Sequence, residues 1–122
     1  MPRILVVDDN PTNLKLAADL LESEGYEVDR ARDAEEAIEI LQGELPHLVL
    51  MDLALPGMDG LTLTRKLKSE SRTKDLLIFA VTASAMKGDE EKVMAAGCDG
   101  YISKPIDTEA LLTRVNEALR KI

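Results

Sequence analysis

The sequence predicts an α/β domain built on a doubly wound, five-stranded parallel sheet with helices on both faces. Three observations carry this reading. Short apolar runs alternate strictly with stretches of helical periodicity, five times over. The runs are apolar at consecutive positions, as in "ILVV" (4–7) and "LVLM" (48–51), which suits strands covered on both faces. Helix start and stop signals punctuate the alternation, among them Asn10-Pro11, Gly25, Asp33 and Gly43. Right-handed crossovers then give a doubly wound sheet, and 2-1-3-4-5 is the common strand order for five such units.

Each element has its own signature. Ile4–Val7 is the first strand. Asn10 reads as an N-cap with Pro11 at the first helical position. Leu14, Ala17, Ala18 and Leu21 form one face of the helix that follows, and Gly25 ends it. Glu27–Arg30 is a weaker strand suited to an edge. Asp33 and Glu36 form a capping-box pattern. Behind it Ala34, Ala37, Ile38 and Leu41 line a second helix that Gly43 closes. Leu48–Met51 is the third strand and stops at Asp52. A loop with Pro56, Gly57 and Gly60 leads into a helix over about 61–70. Leu76–Val81 is the fourth strand, followed by Thr82, and a helix over about 86–96 stops at Gly97. Gly88 inside that helix costs about 1 kcal/mol against Ala and softens it. Tyr101-Ile102 marks a short fifth strand, followed by Lys104-Pro105. Asp107 caps a last helix with Leu111, Val115, Ala118 and Ile122 on one face.

Composition narrows the function classes. The 122 residues suit one domain with a single core, with no room for a second. Apolar residues make up 45% and aromatics only 2%, so that core is aliphatic. Lys and Arg total 15 against 23 Asp and Glu, a net charge of −8. This opposes attraction to nucleic acid or anionic lipid and favours a metal cation or a basic partner. The single Cys98 forms no intramolecular disulfide, a secretory leader is not apparent, and no apolar run approaches membrane-spanning length. A soluble cytoplasmic protein is expected.

The chemistry gathers at the C-terminal ends of the strands. Two adjacent carboxylates ~5 Å apart repel by roughly 3 kcal/mol at an effective dielectric near 20, yet Asp8 and Asp9 sit side by side after the first strand. In a 2-1-3-4-5 sheet the switch point falls between strands 1 and 3, where ligands bind beyond the strand ends. Asp8, Asp9, Asp52, Thr82 and Lys104 therefore converge on one rim. Three carboxylates there call for a cation, and oxygen donors without a His or Cys cluster favour Mg²⁺ or Mn²⁺. Mg²⁺ on carboxylates points to phosphoryl chemistry, in which a carboxylate can act as nucleophile and form an aspartyl-phosphate. Lys104 would pair with phosphoryl oxygens and Thr82 would donate a hydrogen bond to one.

These five residues, with "MDLALPGMDG" (51–60), "VTAS" (81–84) and "YISKP" (101–105), resemble the receiver domain of two-component response regulators over essentially the whole chain. The flavodoxin-like and CheY-like (βα)5 fold follows from that resemblance. "TASAMKGDEEKVMAAGCDGYISKPI" is further similar to DivK-like single-domain regulators and to receivers attached to hybrid kinases. The resemblance implies Asp52 as phosphoacceptor. It implies a Mg²⁺ ion held by Asp9 and Asp52, by Asp8 directly or through water, and by the main-chain carbonyl of Ala54. It implies Thr82 and Tyr101 as a coupled switch pair, Lys104 on the phosphoryl group, and a cis Lys104–Pro105 bond. Residues 1–122 then form one receiver domain with no output domain, a monomer or weak dimer. A sensor histidine kinase or histidine phosphotransfer protein is the donor. A downstream protein is met through the face of helix 4, strand 5 and helix 5. Such a domain catalyses only its own phosphorylation and dephosphorylation, and is not otherwise an enzyme.

Other functions compete for the same residues. A phosphate relay or sink, or the receiver portion of a hybrid kinase, shares every motif. A flavodoxin-like cofactor binder would cradle phosphate after strand 1 with Ser, Thr and Gly, where this chain has two carboxylates and no glycine-rich phosphate loop. An aspartyl-phosphate phosphatase commonly needs a second Asp two residues beyond the nucleophile, where Ala54 stands. A degenerate receiver that only binds proteins conflicts with the complete set of five residues. Asp33, Asp59 and Asp107 are read as caps, His47 as a solvated loop residue, and Cys98 as a small buried side chain. "GDEEK" (88–92) is read as a solvated helix face, and Met51, Met58, Met86 and Met94 as packing.

Overall fold

The computed structural model describes residues 2–82, 87–104 and 107–120. Five strands and five helices alternate: β1 (Arg3–Val7), α1 (Pro11–Ser23), β2 (Glu27–Ala31), α2 (Ala34–Leu41), β3 (Leu48–Asp52), α3 (Gly60–Ser69), β4 (Leu77–Thr82), α4 (Lys87–Ala95), β5 (Gly100–Ser103) and α5 (Thr108–Arg120). The strands form one parallel sheet in the order β2-β1-β3-β4-β5. The predicted fold class and order are both met, and β2 is the edge strand its mixed composition suggested.

Two apolar layers sandwich the sheet. Ile4, Val6, Leu48, Leu50, Phe79 and Val81 point toward α1 and α5, where Leu14, Ala17, Leu21, Leu111, Val115 and Leu119 meet them. The alternate residues Leu5, Val7, Val49, Met51, Ile78 and Ala80 meet α2, α3 and α4. β1, β3 and β4 are covered on both faces, which is why they read as unbroken apolar runs.

Local chemistry sets the boundaries. The Asn10 side chain accepts from the N–H groups of Thr12 and Asn13 at 2.9 and 3.1 Å. Asp33, Asp59 and Asp107 cap α2, α3 and α5 in the same manner. Gly25, at φ 94°, ends α1 with N–H bonds from Gly25 to Glu22 O and from Tyr26 to Leu21 O, a Schellman closure.

Four expectations change. The capping box on α2 is not reciprocal: Glu36 accepts from the N–H of Arg32, 2.7 Å away, because the Arg32 guanidinium draws its carboxylate outward. Gly43 does not take a left-handed turn; the α2 terminus is instead closed by Arg72, which donates to the carbonyls of Leu41, Gln42 and Gly43. Met58 and Met94 are exposed, while Met51 packs as expected. On α5 the fully covered position after Val115 is Leu119, with Ala118 half-buried beside it. Ser84, Met86, Pro105 with its expected cis bond, and Ile122 lie outside the described residues.

Candidate functional site: a carboxylate cluster on the C-terminal rim of the sheet

Strand register builds the rim. Val7 of β1 pairs with Met51 of β3, so the residues that follow, Asp8 and Asp52, emerge at the same level on adjacent strands. Asp52 pairs with Val81 of β4, and Thr82 pairs with Ser103 of β5. Lys104 follows at once, its N–H donating to Thr82 O at 2.8 Å. The five residues predicted to converge are thus delivered by the ends of four strands.

Asp8 and Asp52 are buried, whereas Asp9 is exposed. One carboxylate oxygen from each lies within 4.8 Å of the others. Lys104 Nζ reaches Asp52 Oδ2 at 3.0 Å and Asp8 Oδ2 at 3.9 Å. Backbone donors hold the opposite oxygens: the Asn10 N–H donates to Asp8 Oδ1 at 2.9 Å, and the Ala54 N–H to Asp52 Oδ1 at 3.0 Å.

This arrangement is under-neutralised. Burial pushes the Asp8 carboxyl up to about 6; the Asn10 N–H opposes that rise, the Asp52 charge adds to it, and Lys104 opposes it again. Among the described residues Lys104 is the cation that pairs with the cluster, and it reaches two of the three carboxylates. All the acidic donors are oxygens, and two are already desolvated, which fits a hard divalent cation such as Mg²⁺.

Tyr101 does not join this cluster. It stands half-buried beside Ala80 and packs against the layer that faces α2, α3 and α4. It also lines a cavity of about 750 Å³ along the β5 edge, together with Met94, Ile102, Lys104 and Arg114. Gly60, legible in the sequence only as part of a loop, touches the Asp52 strand end, and Thr64, not singled out in the sequence, holds Gly60. A Cβ on Gly60 would lie 2.5 Å from Asp52 O, and the Thr64 hydroxyl donates to Gly60 O at 2.8 Å. A threonine one helical turn after a helix-opening glycine was the available signal.

A doubly wound sheet with buried acidic residues and an opposed lysine on its C-terminal rim defines a recognisable class. Residues 4–116 match the response regulator receiver domain, and the chain belongs to that family of two-component signalling proteins. It is 42% identical over 120 residues to the polar-differentiation response regulator DivK of Brucella anthropi, covering 98% of each chain. Its structure is similar to a putative response regulator from Chloroflexus aurantiacus, with a TM-score of 0.92 at 34% identity over 98% of both chains. The chemotaxis response regulator CheY4 of Vibrio cholerae gives a TM-score of 0.92 at 26% identity, over 97% of this chain and 98% of that one. Membership implies a histidine kinase or phosphotransfer partner. Among the described residues, no helix is long and apolar enough to cross a membrane.

Proposed function

We propose that the chain is a phosphorylation-dependent switch in which Asp52 accepts a phosphoryl group from a phosphohistidine. The observation that carries this reading is the Asp52 carboxylate itself: 2% exposed, 3.0 Å from Lys104 Nζ, and clustered with Asp8 and Asp9. A carboxylate oxygen forms a P–O bond to phosphorus as the P–N bond to the donor imidazole breaks, and the imidazole nitrogen keeps the electron pair. The product is an aspartyl-phosphate.

Asp8, Asp9, Asp52 and the main-chain carbonyl of Ala54 would hold Mg²⁺ or Mn²⁺, which neutralises charge gathering on the phosphoryl oxygens. Lys104 offers its ammonium to the same oxygens. The Ala54 N–H keeps one Asp52 oxygen oriented, so the carboxylate does not have to be ordered during transfer. Thr82 stands at the end of β4 to donate to a phosphoryl oxygen, and Tyr101 on β5 follows its movement. The rearranged face of α4, β5 and α5 then meets a downstream protein. The domain acts on no separate substrate; it catalyses only the gain and loss of its own phosphoryl group, in the cytoplasm, as a monomer or weak dimer.

Incubation with acetyl phosphate and Mg²⁺, followed by intact mass and site mapping, tests the assignment. One phosphoryl adduct is expected on the wild type and none on Asp52→Asn. A wild-type level of adduct on Asp52→Asn overturns it.

A further inference from the structure

We infer that Gly60 and Thr64 are positioning residues for Asp52, clamping the backbone that aims the acceptor carboxylate. The inference rests on the proposed role of Asp52 and extends it to a helix that contributes no side chain to the rim.

The two peptides that follow Asp52 are each held by a backbone bond. On the sheet side the Leu53 N–H, of the Asp52–Leu53 peptide, donates to Val81 O at 3.2 Å. On the helix side the Gly60 N–H donates to Leu53 O, of the Leu53–Ala54 peptide, at 3.3 Å. Gly60, the first residue of α3, also rests directly on the Asp52–Leu53 peptide. A Cβ there would stand 2.5 Å from Asp52 O and 2.9 Å from Leu53 Cα, both backbone atoms that cannot rotate away. Only glycine permits that approach.

Thr64 fixes the glycine from behind. It is fully buried, and its hydroxyl donates to Gly60 O at 2.8 Å while lying 3.9 Å from the Cys98 sulfur. A thiol donor from Cys98 leaves the hydroxyl proton directed at Gly60 O. Buried threonines that bond back four residues bias the local helix geometry, and this bond lies on the turn that touches the acceptor strand end.

The consequence runs through Ala54. Its N–H sets the Asp52 Oδ1 orientation, and its carbonyl is a proposed metal donor. A shift of the Asp52–Leu53 peptide therefore displaces the nucleophile and a metal donor together. Misplacing reacting groups by about 1 Å can cost ~100-fold in rate.

The test compares Gly60→Ala, Thr64→Val, Thr64→Ser and a stability control, Leu119→Ala, which lies near the far end of α5. Each full-length protein is phosphorylated with acetyl phosphate at saturating Mg²⁺, and Mg²⁺ affinity is measured by calorimetry. Gly60→Ala is expected to slow phosphorylation at least tenfold and to weaken Mg²⁺ binding. Thr64→Val is expected to slow phosphorylation several-fold, with Thr64→Ser restoring most of the loss. Leu119→Ala, although it lowers the melting temperature, is expected to react at the wild-type rate. The inference is overturned if Thr64→Val reacts within twofold of wild type, or if the losses track melting temperature across all four variants. Should Gly60→Ala fail to fold, the threonine pair and the control still decide. Failure here leaves Asp52 as acceptor intact, because that assignment stands or falls on the Asp52→Asn adduct.

Discussion

The two ends of the sheet treat charge in opposite ways. At the N-terminal ends of the strands, Arg3 lies 3.1 Å from carboxylates of Glu27 and Asp29 on β2 and of Glu44 in the loop before β3. Nearby, Arg72 closes α2 by donating to three carbonyls. Each cation there is surrounded by acceptors and ties separate segments together. At the C-terminal ends the ratio inverts in kind: desolvated carboxylates crowd one another around Lys104. The first end is finished by folding. The second is left short of positive charge, and a divalent cation with a phosphoryl group is what completes it. Stability and function have been separated along the strand axis.

Breaking the stable end should cost the most. Arg72→Ala strips the α2 terminus of its donors and should destabilise by about 2 kcal/mol, since charge-assisted bonds to partly buried carbonyls are lost. For a chain of this size that corresponds to a fall of roughly 6–12 °C in melting temperature. Phosphorylation at 25 °C should be unchanged. A fall under 2 °C in a thermal melt would contradict the assigned role of Arg72.

The next effect is a gain at the other end, and it carries a pH signature. The folded state raises the Asp8 carboxyl from its ordinary 3.8 to about 6. A raised acid favours the protonated form, so the charge costs nothing below pH 4 and its full amount above pH 6. In metal-free protein the advantage of Asp8→Asn over wild type should therefore be absent near pH 4, grow through pH 5–6, and level off at on the order of 1 kcal/mol, roughly 3–6 °C. Parallel melting curves across that range would refute the burial account.

The smallest effect sharpens the contrast by its absence. Arg32 and Glu36 form an ion pair at 3.0 Å, but Arg32 is well exposed and the pair joins neighbouring residues. Arg32→Ala should move the melting temperature by about 1 °C or less, because solvent and salt screen such pairs. A larger fall would mean that the bond from the Arg32 N–H to Glu36 matters more than the charge.

Much of this contrast was legible in the sequence at one end only. Asp8, Asp9, Asp52, Thr82 and Lys104 could be read because each directly follows or ends an apolar run, and parallel strands bring all such ends to one rim. Asn10, Asp33, Asp59 and Asp107 were legible as caps because capping depends on three or four consecutive residues. The opposite end was not legible. Arg3 meets Glu44, and Arg72 meets Leu41, about thirty to forty positions away, across contacts that leave no local pattern. His47 shows the same limit: it is exposed as expected, yet its Nδ1 accepts from the Arg3 N–H at 3.1 Å and its own N–H donates to Arg3 O at 2.8 Å, prolonging the β1–β3 pairing. The exposure of Met58 and Met94 was misread because methionine suits both core and surface, and neither side chain meets a covering element here. Gly60 and Thr64 needed coordinates, because a close approach between α3 and the end of β3 is a matter of tenths of an ångström.

The central claim is that the rim carboxylates are destabilising until a divalent cation completes them. Thermal melts of wild type and Asp8→Asn at pH 7, each with EDTA and with saturating Mg²⁺, test it directly. Without metal, Asp8→Asn should melt higher than wild type. With Mg²⁺ the wild type should gain at least several degrees, about 1.4 kcal/mol at ten times the dissociation constant, while Asp8→Asn gains little, so that the order of the two proteins reverses or closes. An Asp8→Asn protein that melts below wild type in EDTA, or that gains as much from Mg²⁺ as wild type does, would contradict the account.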